Sequence, residues 1–113
     1  MAKPKYLKTS DDLDLMMERA REASDMLKAM AHETRLVLLC ILREGERSVS
    51  ELETILGERQ AAVSQQLARL RLERLVDTRR DGATVYYRLS SPAVQVVLEA
   101  LYGAFCAPPK KKR

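Results

Sequence analysis

A chain of 113 residues has room for one domain with a single modest core, and 46% hydrophobic residues with only 4% aromatics make that core aliphatic. The longest unbroken apolar run, Leu36 to Leu42, falls far short of the roughly 20 residues that cross a bilayer, so no membrane partner is expected. The formal net charge of +4 is uneven: Lys110 to Arg113 form a basic tail, whereas Arg59, Arg69, Arg71, Arg74, Arg79, Arg80 and Arg88 outnumber the acids between residues 58 and 88, and that local excess points to nucleic acid.

Residues 1–10 read as a basic extension without the apolar core of a secretion signal, so a cytoplasmic chain with reduced thiols is expected. The domain then runs over 11–106, followed by a basic tail at 107–113. After the start signal Ser10-Asp11-Asp12, the residues Leu13, Met16, Met17, Ala20, Ala23, Leu27 and Met30 recur at steps of three and four, predicting a long amphipathic helix. Thr34 to Arg43 is apolar nearly all round and reads as a buried central helix closed by Gly45. His32 stands at its start and reads as a helix-start residue, because zinc wants three or four convergent ligands.

Ser50 with Glu53 forms a capping box for the next helix, and Ser48 with Glu51 is a second candidate box. Leu52, Ile55 and Leu56 share one face, and Gly57 supplies the left-handed residue that ends the helix. A second helix from about Gln60 buries Val63, Leu67 and Leu70, which leaves Gln60, Ala61, Ser64, Gln65 and Arg69, with Arg59 just ahead, to face DNA. Beyond Leu75 the period becomes two, around Asp81-Gly82, which predicts a hairpin with a type I′ turn. Arg79 and Arg80 are expected free at its tip for phosphates.

Past Ser90-Ser91-Pro92, a last stripe of Val94, Val97, Leu98, Leu101, Tyr102 and Phe105 predicts a final helix. Together with Leu13, Met16, Met17 and Ala20 it exposes more apolar surface than so small a domain covers, so a homodimer through the first and last helices is expected, matched to an inverted repeat in double-stranded operator DNA. The fold class is therefore mostly α with a small β-hairpin wing, a winged helix-turn-helix in the order α-α-α-α-β-β-α. No paired carboxylates, phosphate loop or Ser/His/Asp set can be placed, so neither an enzyme nor a cofactor nor a metal site is expected.

The segments AHETRLVLLCIL, VSELETILG, AVSQQLARLRLERLV and RRDGATVYYRL, in that order, resemble the ArsR family of winged-helix repressors from Leu27 to Phe105. The resemblance implies a dimeric repressor that releases DNA on sensing an inducer. Cys40 and Cys106 each have a plain explanation as small buried hydrophobes. As a pair they resemble the dithiol of the family's sulfide- and persulfide-responsive SqrR/BigR subgroup, as do Arg59-Gln60 and Ser64-Gln65-Gln66-Leu67. That implies a small reactive sulfur species as inducer. Two alternatives stay open at this point: a metal or general oxidant as the signal, and a winged domain that binds proteins.

Overall fold

Four helices, a small sheet and a closing helix follow one another in the computed structural model, which describes residues 2, 4–57 and 60–106, with the backbone alone for 60–62. The first helix, α1 (Ser10–Met30), starts at the first residue of the expected signal, and its cap lies one residue earlier. Thr9 caps it: its Oγ1 accepts from the Asp12 N–H at 3.1 Å, while the Asp12 carboxylate accepts from the N–H groups of Lys8 and Thr9. Those backbone donors, Lys8 first, hold the Asp12 carboxyl below its usual range. From Ser10 to Asp25 every residue except Asp12 is exposed, and only Met26, Ala29 and Met30 pack on the domain.

The central helix α2 (Glu33–Arg43) is capped by His32, whose Nδ1 accepts from the Thr34 N–H at 3.1 Å. Leu38, Leu39 and Leu42 point into the core, but Val37 is 45% exposed and Cys40 is exposed. The expectation of a helix buried all round is thus corrected, because its second face lines an open groove beside the end of the last helix.

Next come a two-residue strand, β1 (Arg47–Ser48), and α3 (Val49–Leu56). Ser48 and Glu51 form the capping box, so the preferred box of Ser50 and Glu53 is replaced by the second candidate. Gly57 ends α3 at φ +61°, as expected. The helix α4 (Gln60–Leu72) ends in a Schellman motif, with the Arg74 N–H on the Arg71 carbonyl and the Leu75 N–H on the Leu70 carbonyl, both at 3.0 Å.

The wing is β2 (Val76–Asp81) and β3 (Thr84–Leu89), and β1 adds to it through Arg47 opposite Tyr87 and Ser48 opposite Tyr86, giving antiparallel order β1-β3-β2. This third strand was not expected. Asp81 pairs with Thr84, so the turn is Gly82-Ala83, and only Gly82 has positive φ, +62°. Glycine at the first of two central positions fits type II′ and corrects the expected type I′ turn.

Ser91 caps α5 (Pro92–Phe105), with Pro92 in the first turn. The core of this winged helix-turn-helix lies where α2, α3, α4 and α5 meet the root of the wing. There Leu38, Leu52, Val63, Leu67, Leu70, Val94 and Leu98 are almost wholly buried, and truncating one such leucine to alanine costs about 2–5 kcal/mol. No described helix is long and apolar enough to cross a membrane.

Candidate nucleic-acid interface and thiol pair

Helix α4 buries one stripe, Val63, Leu67 and Leu70, so the opposite face is left to solvent. Ser64, Gln65 and Arg69 lie there, exposed. Gln60 and Ala61 form the first turn of α4 by their backbone, and Arg59 lies outside the described residues. Arg69 is half committed: its Nε stands 3.5 Å from the Glu73 carboxylate one turn on.

The two wing arginines differ. Arg80 is exposed and, among the described residues, has no ion-pair partner. Arg79 is neither at the tip nor free, which corrects the expectation. Its Nη2 donates to the Glu46 carboxylate at 2.7 Å and its Nε at 3.1 Å, while the guanidinium lies 4.4 Å above the Tyr86 ring centroid. Arg79 and Tyr86 are cross-strand partners on one face of the hairpin, which brings the two together. The hydrogen bonds hold the Glu46 carboxyl below its usual range. Glu46 lies in the link from α2 to β1, and its role was invisible without the fold.

Arg35 was also missed. It is 8% exposed and joins three helices: Nε donates to the Ala29 carbonyl, Nη2 to the Lys28 carbonyl at 3.4 Å, and Nη1 to Gln66 Oε1 at 2.7 Å. An arginine inside TRLVLLCIL was the available signal, since a charge on an apolar helix must find partners or stay in water.

Cys40 on α2 and Cys106 at the end of α5 are both free thiols, and the chain brings them to one groove of about 570 Å³. Leu36, Val37, Ile41, Leu101 and Phe105 make its walls apolar. Arg43 lies 4.8 Å over the Tyr102 ring at the same groove and ties α2 to α5. Although Cys40 is exposed, desolvation by these walls pushes its thiol up. Arg43 pulls the other way, and Cys106 and Glu44 add to the rise.

The expected dimer residues divide. Leu13, Met16, Met17 and Ala20 are exposed on α1, and Tyr102 and Phe105 on α5 at 44% and 82%. Val97 and Leu101 are half-buried. Val94 and Leu98 are fully buried in their own core and cannot meet a partner, a second correction. Val96, 67% exposed, lies on the open side of α5 instead.

Set beside known proteins, residues 32–78 match the family described as "Bacterial regulatory protein, arsR family". The chain is 48% identical over 96 residues to the "Biofilm growth-associated repressor" of Agrobacterium fabrum, covering 85% of this chain and 82% of that one. It is 44% identical over 102 residues to the "Transcriptional activator HlyU" of Vibrio cholerae, covering 89% and 94%. The structure of "Reduced HlyU" superposes with a TM-score of 0.76 over 81% of this chain and 97% of that one. The "transcriptional repressor BigR" of Xylella fastidiosa superposes with a TM-score of 0.76 at 43% identity, over 84% and 97%.

Proposed function

The chain belongs to the ArsR family of bacterial DNA-binding transcriptional regulators, and on that premise we propose that it is a homodimeric repressor that leaves its operator when sulfur bridges Cys40 and Cys106. One observation carries this reading: two thiols far apart in sequence line the same groove, one on the central helix and one at the end of α5. A relative whose solved structure is named as a reduced form accords with it.

The chemistry balances without a cofactor. The Cys106 thiolate attacks the terminal sulfur of a low-molecular-weight persulfide and expels the parent thiolate, leaving Cys106 as a persulfide. Cys40 is converted likewise. One protein persulfide anion then attacks the cysteine-bonded sulfur of the other and expels hydrosulfide, which leaves a trisulfide. A direct disulfide confines the two Cα atoms to about 4.4–6.8 Å, and an inserted sulfur relaxes that limit. The bridge would fasten α2 to α5 and shift the placement of the reading heads.

The dimer is supported by α1. A 21-residue helix exposed over most of its length is marginal alone in water, and a second copy laid along Leu13, Met16, Met17 and Ala20 would give it a buried face. Ser64 and Gln65 would then read base edges, and Gln65→Ala would cost on the order of 1–3 kcal/mol on the operator and less on random DNA.

The deciding experiment pairs DNA binding with intact mass. Cys40→Ser and Cys106→Ser should each bind the operator as the unmodified protein does and should each fail to release on persulfide. The unmodified protein should release, gaining sulfur and losing two hydrogens. Release of the doubly substituted protein would end the dithiol reading, and release by zinc alone would favour metal sensing.

A further inference from the structure

The read-out helix α4 and the end of α1 share one buried cation, Arg35. Lys28 and Ala29 belong to the last turn of α1, whose carbonyls carry the negative end of the helix dipole. The guanidinium caps these with Nε and Nη2, and its remaining arm reaches Gln66 in the middle of α4. Because the fork is planar and rigid, acceptors on two helices fix the direction in which each helix stands.

The same contact commits Gln66. Arginine has donors only, so the Gln66 oxygen is the acceptor, and the bond ties this side chain to Arg35 rather than leaving it free to reach a base edge. The neighbouring Ser64 and Gln65 remain exposed for that task.

We propose that Arg35 is a positioning residue for operator recognition: through Gln66 it locks the roll of α4 to the end of α1, so the helix that joins two copies also sets where each reading head stands. This rests on the DNA-binding, dimeric reading given above. Arg35 touches no DNA. Its effect is on spacing and selectivity rather than on charge neutralised.

The test uses the full chain and three duplexes: one selected by the unmodified protein from a randomised pool, the same duplex with one base pair inserted between its half-sites, and an unrelated one. Gln66→Met removes the α4 end of the bridge and leaves Arg35 on α1, and Arg35→Lys keeps the charge without the fork. Each variant should bind the selected duplex about tenfold more weakly, because binding must then supply the helix orientation that one charge-assisted hydrogen bond no longer holds. Binding to the unrelated duplex should stay within about twofold, with an unchanged salt slope. The penalty for the inserted base pair should shrink, and combining the two changes should be no worse than the weaker single variant.

An unaltered spacing penalty in folded Gln66→Met overturns the proposal, whether or not Arg35→Lys folds. So does an equal loss on all duplexes with a shallower salt slope, which would make Gln66 a phosphate contact. If the unmodified protein selects no duplex from the pool, the DNA-binding reading falls and the bridge falls with it.

Discussion

Arg74 is the one non-glycine residue with positive φ among the described residues, +62°, and it holds the left-handed position of the Schellman motif that ends α4. A side chain there costs about 1–2 kcal/mol against the preceding carbonyl, part of which glycine returns as unfolded-state entropy. Arg74→Gly should therefore raise stability by about 0.5–1 kcal/mol in urea titrations, and Arg74→Ala should raise it by nothing. The Cys40 thiol, pushed up chiefly by burial, should be alkylated in the Cys106→Ser protein along a pH curve whose midpoint lies above that of a free thiol. In urea the midpoint should return toward about 8.5; a native midpoint below that value would remove the burial argument. Cys40 and Cys106 stood out in the sequence as a candidate pair through the resemblance, and the fold places both on one groove. Arg35 and Glu46 did not stand out, because Gln66 and Arg79, the residues that give them meaning, are brought near only by the packing of α2 on α4 and of the wing on the α2–β1 link.

At the scale of the element, the local signals named the helices well and their starts less well. Two capping boxes of equal quality stood two residues apart, and spacing could not choose between them. The choice is made by β3: pairing with Tyr86 keeps Ser48 extended, at φ −74° and ψ 160°, so the helix can begin only after it. Ser48→Ala should cost about 1 kcal/mol in thermal or urea melts and Ser50→Ala under about 0.5; the reverse order would restore the other box. The hairpin was read one residue early for a similar reason, since Asp81 is drawn into the ladder by Thr84 and leaves Gly82 to open the turn. The wing also predicts unequal arginines. Arg80→Ala should lower the salt slope of DNA binding by about one counterion, whereas Arg79→Ala should lower it less, because Glu46 already neutralises that side chain. Equal slopes for the two would show that DNA displaces Glu46.

For the whole molecule, the fold was legible because four segments with helical or alternating period follow in an order that few architectures satisfy. The two faces of α5 were harder, since an apolar stripe looks the same whether it meets its own core or a second chain. Val94 and Leu98 meet the core, while Tyr102 and Phe105 stay open. If α1 is held by a partner, Met17→Glu should shift sedimentation from dimer to monomer and lower the helix signal in circular dichroism, and the melting temperature of the unmodified protein should rise with its concentration. An exposed α1 has a further consequence for synthesis. It precedes the core in chain order, yet most of its length packs on nothing among the described residues, so it leaves the ribosome before the core that follows it can form. If the proposed dimer forms, the first of the described helices to be translated is the last to settle, and each newborn subunit keeps a strip of leucine and methionine in water until a sibling arrives.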